Sequence, residues 1–197
     1  ELGGKVVTIS GPDGYIYDEK GLDADKINYL LYLRASNNDI VSPYAEEFPE
    51  SKFYPNEKPW SVKCDIAMPC ATQNELNGDD ALKLVANGVQ YIAEVSNMGC
   101  TAEAVHVFHN AKILYGPGKA VNAGGVATSG LEMTQNSMKM SWTKDEVDEK
   151  LLQIMHSIHT ACLKYGTEED GYINYAKGAN IAGFIKVADS MLDLGVI

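Results

Sequence analysis

At 197 residues, 45% hydrophobic and 22% charged, the chain suits one soluble globular domain, or one with a small appendage, and is long enough for a real core. A formal net charge of −11 argues against a nucleic-acid backbone or an anionic membrane as the main partner, and no apolar run approaches the roughly 20 residues needed to span a bilayer. The amino terminus lacks the basic-then-apolar order of a signal peptide. Cys64, Cys70, Cys100 and Cys162 form no CxxC pair, a usage that reads as reduced thiols in a cytoplasmic protein.

Leu2-Gly3-Gly4 reads as a helix end and a turn, and residues 5–10 (KVVTIS) as a buried strand, so the chain is expected to begin in mid-architecture. Gly11-Pro-Asp-Gly14 is a turn, with a short extended segment at 15–18 after it. In a nucleotide-binding α/β unit the adenosine ribose is read at the end of the second strand, where Ser10, Pro12 and Asp13 lie. A carboxylate at Asp13 favours a free 2′-hydroxyl over a 2′-phosphate; the alternative is that it only shapes the turn. Helices are expected at 25–35 and 43–48, and an irregular stretch at 52–59 between prolines.

Residues 64–69 read as a buried strand halted by Pro69 and followed by Cys70-Ala-Thr-Gln-Asn74. Small and amide residues there are what the carboxyl edge of a parallel sheet offers a ligand. A helix at 78–87 stops at Gly88, with Asp79 and Asp80 in its first turn. The next strand, 91–95, ends at Ser96-Asn97. Thr101 caps a helix to Asn110, and 112–115 is a further strand. Strand and helix alternating at these spacings predict a mostly parallel sheet.

Residues 119–129 (KAVNAGGVATS) then open a helical run to Met140. Gly116, Pro117, Gly118, Gly124 and Gly125 are too many punctuators for the interior of a regular element, and a glycine pair opening a helix lets a ligand approach the main chain. Thr143-x-x-Glu146 is a capping box for a helix to about Tyr165, with Val147, Leu151, Ile154, Met155, Ile158 and Cys162 on one face. A last helix spans about 173–194, its Gly178-Ala-Asn180 patch small enough for close packing. Glu168-Glu-Asp170 reads as a solvated loop that ends by capping it. His106/His109 and His156/His159 are i, i+3 pairs without a third ligand at metal spacing, so no metal site is expected. Ser129 has no histidine base or orienting acid in any local motif and suits substrate hydrogen bonding better than nucleophilic attack. Asn74, Asn97 and Asn122 place amides at successive strand ends.

Pro69-Cys-Ala-Thr-Gln-Asn74, residues 119–126 (KAVNAGGV) and Ser129-Gly-Leu-Glu-Met-Thr-Gln-Asn136 resemble the coenzyme-binding domain of glutamate dehydrogenase, in its small-subunit hexameric class. Residues 141–151 (SWTKDEVDEKL) and 178–184 (GANIAGF) extend the resemblance over essentially the whole chain. It implies an α/β, Rossmann-like, mostly parallel sheet with flanking helices and a helical C-terminal segment, lacking the first β-α unit. Residues 1–141 would form the partial dinucleotide-binding domain, and 142–197 helices packing back on it. The implied reaction is oxidative deamination of L-glutamate to 2-oxoglutarate and ammonia, with NAD as cofactor and NADP not excluded, by a homo-hexamer when complete. By the same analogy Ser10, Pro12 and Asp13 lie along the adenosine, and Cys70, Ala71, Thr72, Gln73 and Asn97 beside the nicotinamide and its ribose. Asn122 bridges cofactor and substrate, while Val126 and Ser129 meet the glutamate side chain. Where the family carries proline and threonines after the nicotinamide-side asparagine, this chain has Met98-Gly-Cys-Thr101. No catalytic residue carries over, since the family's lysines and aspartate belong to a substrate domain. The family's glycine-rich pyrophosphate loop is not in this sequence either, so the expectation for this polypeptide alone is no turnover and weak or absent dinucleotide binding, with a non-catalytic α/β module or a dehydrogenase of an apolar amino acid as alternatives.

Overall fold

The computed structural model describes residues 3–36 and 39–195, so Leu2, read above as part of a helix end, lies outside the described residues. Two compact units divide the chain, Glu1–Val62 and Lys63–Ile197; the boundary expected at 141 falls inside the second.

The first unit holds β1 (Thr8–Gly11), β2 (Gly14–Tyr17), α1 (Ala24–Ala35), α2 (Ser42–Glu47) and β3 (Lys52–Pro55), then a short 3-10 turn at Pro59–Ser61. Its sheet is antiparallel, in the order β1-β2-β3, with Ile9 opposite Ile16 and Tyr15 opposite Tyr54. Two sequence expectations change here. The strand expected at 5–10 enters its ladder only at Thr8, because the Val6 and Val7 carbonyls accept from Leu22 and Asp18 instead. The stretch 52–59 is not irregular throughout, since its first four residues pair with β2. The prolines sit at the end of β3 and beyond it, where the missing N–H is tolerated. Ile16 and Tyr44, both fully buried, and Val41 form the core, with Ile9, Leu22, Tyr29, Leu30, Phe48 and Phe53 packed against them. The apolar spacing of α1 overstates its buried face. Ile27 and Leu31 are exposed, and the buried positions are Leu33 and Lys26, whose ammonium sits 2.6 Å from the fully buried Asp18.

The second unit holds β4 (Ile66–Ala67), α3 (Gly78–Ala86), β5 (Tyr91–Ala93), α4 (Ala102–Asn110) and β6 (Leu114–Gly116). The helices α5 (Gly118–Val121), α6 (Ala123–Met138), α7 (Lys144–Gly166) and α8 (Tyr175–Leu194) follow. Its sheet, β4-β5-β6, is parallel, as the alternation predicted. Thr101 and Thr143 cap their helices as expected, the latter in a full capping box with Glu146. Asn77 and Asp80 form a second one at α3. The last helix is capped by Asn174 rather than by the acidic loop, in which Asp170 pairs with Lys112. Along α7 and α8 the backbones approach closely at Gly178, where a Cβ would run into the Cys162 carbonyl; no larger residue fits that contact without moving a helix. An apolar cavity of about 270 Å³, lined by Ile92, Leu114, Val121, Met155, Ile158 and Cys162 among others, lies between the sheet and these helices. No residue expected at the site lines it.

Candidate functional site

The carboxyl ends of β4, β5 and β6 all emerge on one edge of the parallel sheet, and the loops leaving them are stitched together by backbone. Val95 and Ser96 donate to the Pro69 carbonyl, both at 3.0 Å, tying the β5 loop to the β4 loop. Further on, Asn74 donates to Met98 O (2.8 Å), Leu76 to Gly99 O (3.0 Å) and Thr101 to Leu76 O (2.9 Å). The two loops thereby resume parallel pairing at Leu76 and Cys100, and the stretch Met98-Gly-Cys-Thr101 has a defined tight conformation. Met98 and Asn74 both take left-handed φ of 57°, so Asn74 serves as a turn former.

Asn97 and Asn122 are brought together. The Asn122 side-chain amide donates to Asn97 Oδ1 at 2.7 Å. Asn122 sits between α5 and α6, and its own N–H donates to the Gly118 carbonyl at 2.9 Å. The glycine-rich stretch is therefore mostly helical, contrary to the expectation that its punctuators would exclude regular structure. Pro117 precedes the first turn, Asn122 marks the break, and the pair Gly124-Gly125 lies inside α6. A side chain at Gly125 would meet nothing within 4 Å. Val126 and Ser129 follow on the exposed part of α6, Val126 at 79% exposure, and the Ser129 hydroxyl makes a long 3.3 Å bond back to the Gly125 carbonyl.

Cys70, Ala71, Thr72 and Gln73 are exposed on the β4 loop, where Ala71 N–H donates to Glu75 (2.8 Å) and the Gln73 amide lies 3.9 Å from the Met98 sulfur. Ser10, Pro12 and Asp13 belong to the first unit, at the β1–β2 turn of an antiparallel hairpin rather than at the end of a parallel strand. Ser10 and Pro12 are exposed. The Asp13 carboxylate accepts from Val41 N–H and Ser42 N–H, each at 2.9 Å. Burial pushes its pKa up, but these amides outweigh that and hold it below the usual carboxylate range, so it is a fixed negative charge.

Sequence reasoning passes over Glu94. Its carboxylate is 4% exposed and accepts from Gly118 N–H (2.6 Å), Tyr115 Oη–H (2.8 Å) and Cys100 N–H (2.9 Å). Burial and this carboxylate push the Cys100 thiol up to about 12, which removes it as a nucleophile. The available signal was a lone acid inside an apolar strand, Tyr91-Ile-Ala-Glu-Val95. All four cysteines are free, and among the described residues no group of three or more His, Cys, Asp or Glu side chains is placed to hold a metal ion. No helix of the described residues is long and apolar enough to cross a membrane.

Parallel strands joined by helices, with amides and glycines gathered at the carboxyl ends, define a Rossmann-like α/β unit. A model of the Glutamate/Leucine/Phenylalanine/Valine dehydrogenase family matches residues 1–195, and the chain belongs to that family. It is similar to the NAD-specific glutamate dehydrogenase of Bacteroides fragilis, with 66% identity over 197 residues, covering all of this chain and 44% of that protein. It is also similar to the NADP-specific glutamate dehydrogenase of Haemophilus influenzae, with 51% identity over 196 residues, 99% of this chain and 43% of that one. Among solved structures, Plasmodium falciparum glutamate dehydrogenase superposes with a TM-score of 0.92 at 41% identity, over 98% of this chain and 42% of its own length. The chain thus spans well under half the length of the relatives it matches.

Proposed function

We propose that this chain is the coenzyme-binding portion of a glutamate dehydrogenase, which oxidises L-glutamate to 2-oxoglutarate and ammonia while a hydride passes to NAD. The observation that carries the reading is the hydrogen-bonded Asn97–Asn122 pair on the strand-end edge, with Val126 and Ser129 on the helix that follows. One bond between two amides leaves a donor on Asn97 and an acceptor on Asn122, the complement of a carboxamide or of ribose hydroxyls. Cys70 to Gln73 flank the nicotinamide side, and Ser129 donates to the distal carboxylate of glutamate. NAD is favoured over NADP because the ionised Asp13 repels a 2′-phosphate. Relatives named for either cofactor are similar to this chain, so the preference rests on Asp13 rather than on overall identity. The complete enzyme is a soluble cytoplasmic homo-hexamer in this reading.

By itself the chain does not turn over. The site offers amides, hydroxyls and a thiol, and the Glu75 and Glu94 carboxylates are engaged with backbone N–H groups. Steady-state assays decide the matter. A full-length polypeptide carrying this sequence is expected to oxidise glutamate with NAD far faster than leucine or valine, and this chain alone to oxidise none of them. Equal rates on leucine, or normal turnover by the isolated chain, would overturn the reading.

A further inference from the structure

Glu94 is a charged side chain buried where an apolar one would fill the space with less desolvation. Its hydrogen-bond partners are neutral donors: the Cys100 and Gly118 backbone amides, the Tyr115 hydroxyl and the Cys100 thiol. Those amides belong to different segments. Cys100 closes the loop that carries Asn97. Gly118 opens α5, and its carbonyl receives the Asn122 N–H at the helix end. One carboxylate therefore grips the backbone on both sides of the amide pair.

We propose that Glu94 is the positioning residue of this site, its two oxygens fixing the Cys100 and Gly118 amides and so setting the Asn97–Asn122 contact. This deepens the cofactor reading above, on which the pair's role rests. Gly118 fits the arrangement, since a Cβ there would stand 3.2 Å from Glu94 Oε2 and 2.8 Å from the Ser96 carbonyl oxygen. A side chain at 118 would push the strand-end turn off the carboxylate. Charge-assisted bonds to backbone N–H are stronger and more directional than neutral ones, which suits a device for holding geometry rather than for filling space.

Nuclear magnetic resonance on the 197-residue chain tests this without a ligand. In the unsubstituted protein a scalar coupling through the hydrogen bond should join the Gly118 nitrogen to the Glu94 side-chain carboxyl carbon, and its absence overturns the proposal. Glu94→Gln keeps the volume but turns an NH₂ towards one of the two amides. Exchange of the Gly118 or Cys100 amide proton should then rise by about tenfold, and the Asn122 side-chain amide should shift. Tyr115→Phe, which leaves both backbone bonds, should leave the Asn122 amide in place. A Glu94→Gln protein whose Asn122 side-chain amide is unmoved would reduce Glu94 to a packing role. If these effects appear in the chain while Asn122→Ala leaves KM for NAD and for glutamate unchanged in the full-length enzyme, the cofactor reading fails and the positioning role stands.

Discussion

Asp13 and Val41 are joined by a 2.9 Å hydrogen bond from backbone amide to carboxylate, and the second carboxylate oxygen takes the Ser42 amide at the same distance. The side chain at the tip of the β1–β2 hairpin thus anchors the start of α2, besides supplying a fixed charge.

Asp13→Asn separates these two jobs. It is expected to destabilise the first unit by about 1–2 kcal/mol, because an amide supplies one acceptor where two are needed. The folded-state pKa is depressed, so the anchoring stability is present above the unfolded value near 3.9 and is lost as pH falls through the folded one. Urea unfolding at pH 7 and pH 3 checks both: the variant should differ from the unsubstituted chain at pH 7 and much less at pH 3. In the full-length enzyme the same substitution should narrow the preference for NAD over NADP. An NADP preference in the unsubstituted enzyme would remove the role given to Asp13.

The residues that sequence reasoning placed well are those whose partners are local. The capping box at Thr143 and Glu146 and the Thr101 cap are decided within three residues, and the helix stop at Gly88 needs only its positive φ of 84°. Alternation of strand and helix was enough for the parallel sheet, because so few topologies satisfy it. What escaped were pairings decided across the fold. β3 is four residues recruited by β2 from 35 to 41 positions away, and no periodicity so short announces its partner. Glu94 and Lys26 lie at the end of a strand and in a helix, where local spacing gives no reason for their burial; the reason lies beyond that spacing, in Gly118, Cys100 and Tyr115 for the one and in Asp18 and Tyr44 for the other. Cys70 to Gln73, Asn97 and Asn122 do lie at the carboxyl-end loops of the parallel sheet, while the contact between Asn97 and Asn122, 25 positions apart, does not follow from spacing.

The Lys26–Asp18 pair predicts a specific pattern of mutant stability. Asp18 also accepts from Tyr44 Oη–H at 2.8 Å and from the Lys20 N–H at 3.0 Å, so three donors satisfy its charge. Lys26→Met should destabilise the first unit by about 3–5 kcal/mol, since it strands a buried carboxylate. Combining it with Asp18→Asn should recover part of that loss, because the neutral amide still accepts from Tyr44. The hydrogen bond to Asp18 raises the Lys26 pKa, so the pair's stabilisation is complete below the unfolded lysine value near 10.4 and lost as pH rises through the folded one. Thermal unfolding of the single and double variants between pH 7 and 11 checks the order. A double variant as unstable as Lys26→Met would show that the buried charge is not the cause.

Ser129 gives the sharpest test of the substrate side. Its hydroxyl spends its proton on a long 3.3 Å bond to the Gly125 carbonyl, which is easily surrendered to a better acceptor. The distal carboxylate of glutamate, the partner proposed for Ser129, would be such an acceptor, through a charge-assisted bond. Ser129→Ala should therefore raise KM for glutamate in the full-length enzyme by roughly tenfold or more, with KM for NAD nearly unchanged. Loss of fold would not explain such a result, because Ser129 is exposed on α6 and alanine is the better helix former. Circular dichroism and unfolding should match the unsubstituted protein, leaving the kinetic change to the missing hydroxyl. An unchanged KM for glutamate would mean that Ser129 does not meet the substrate, and the assignment of α6 as the substrate-facing helix would fall with it.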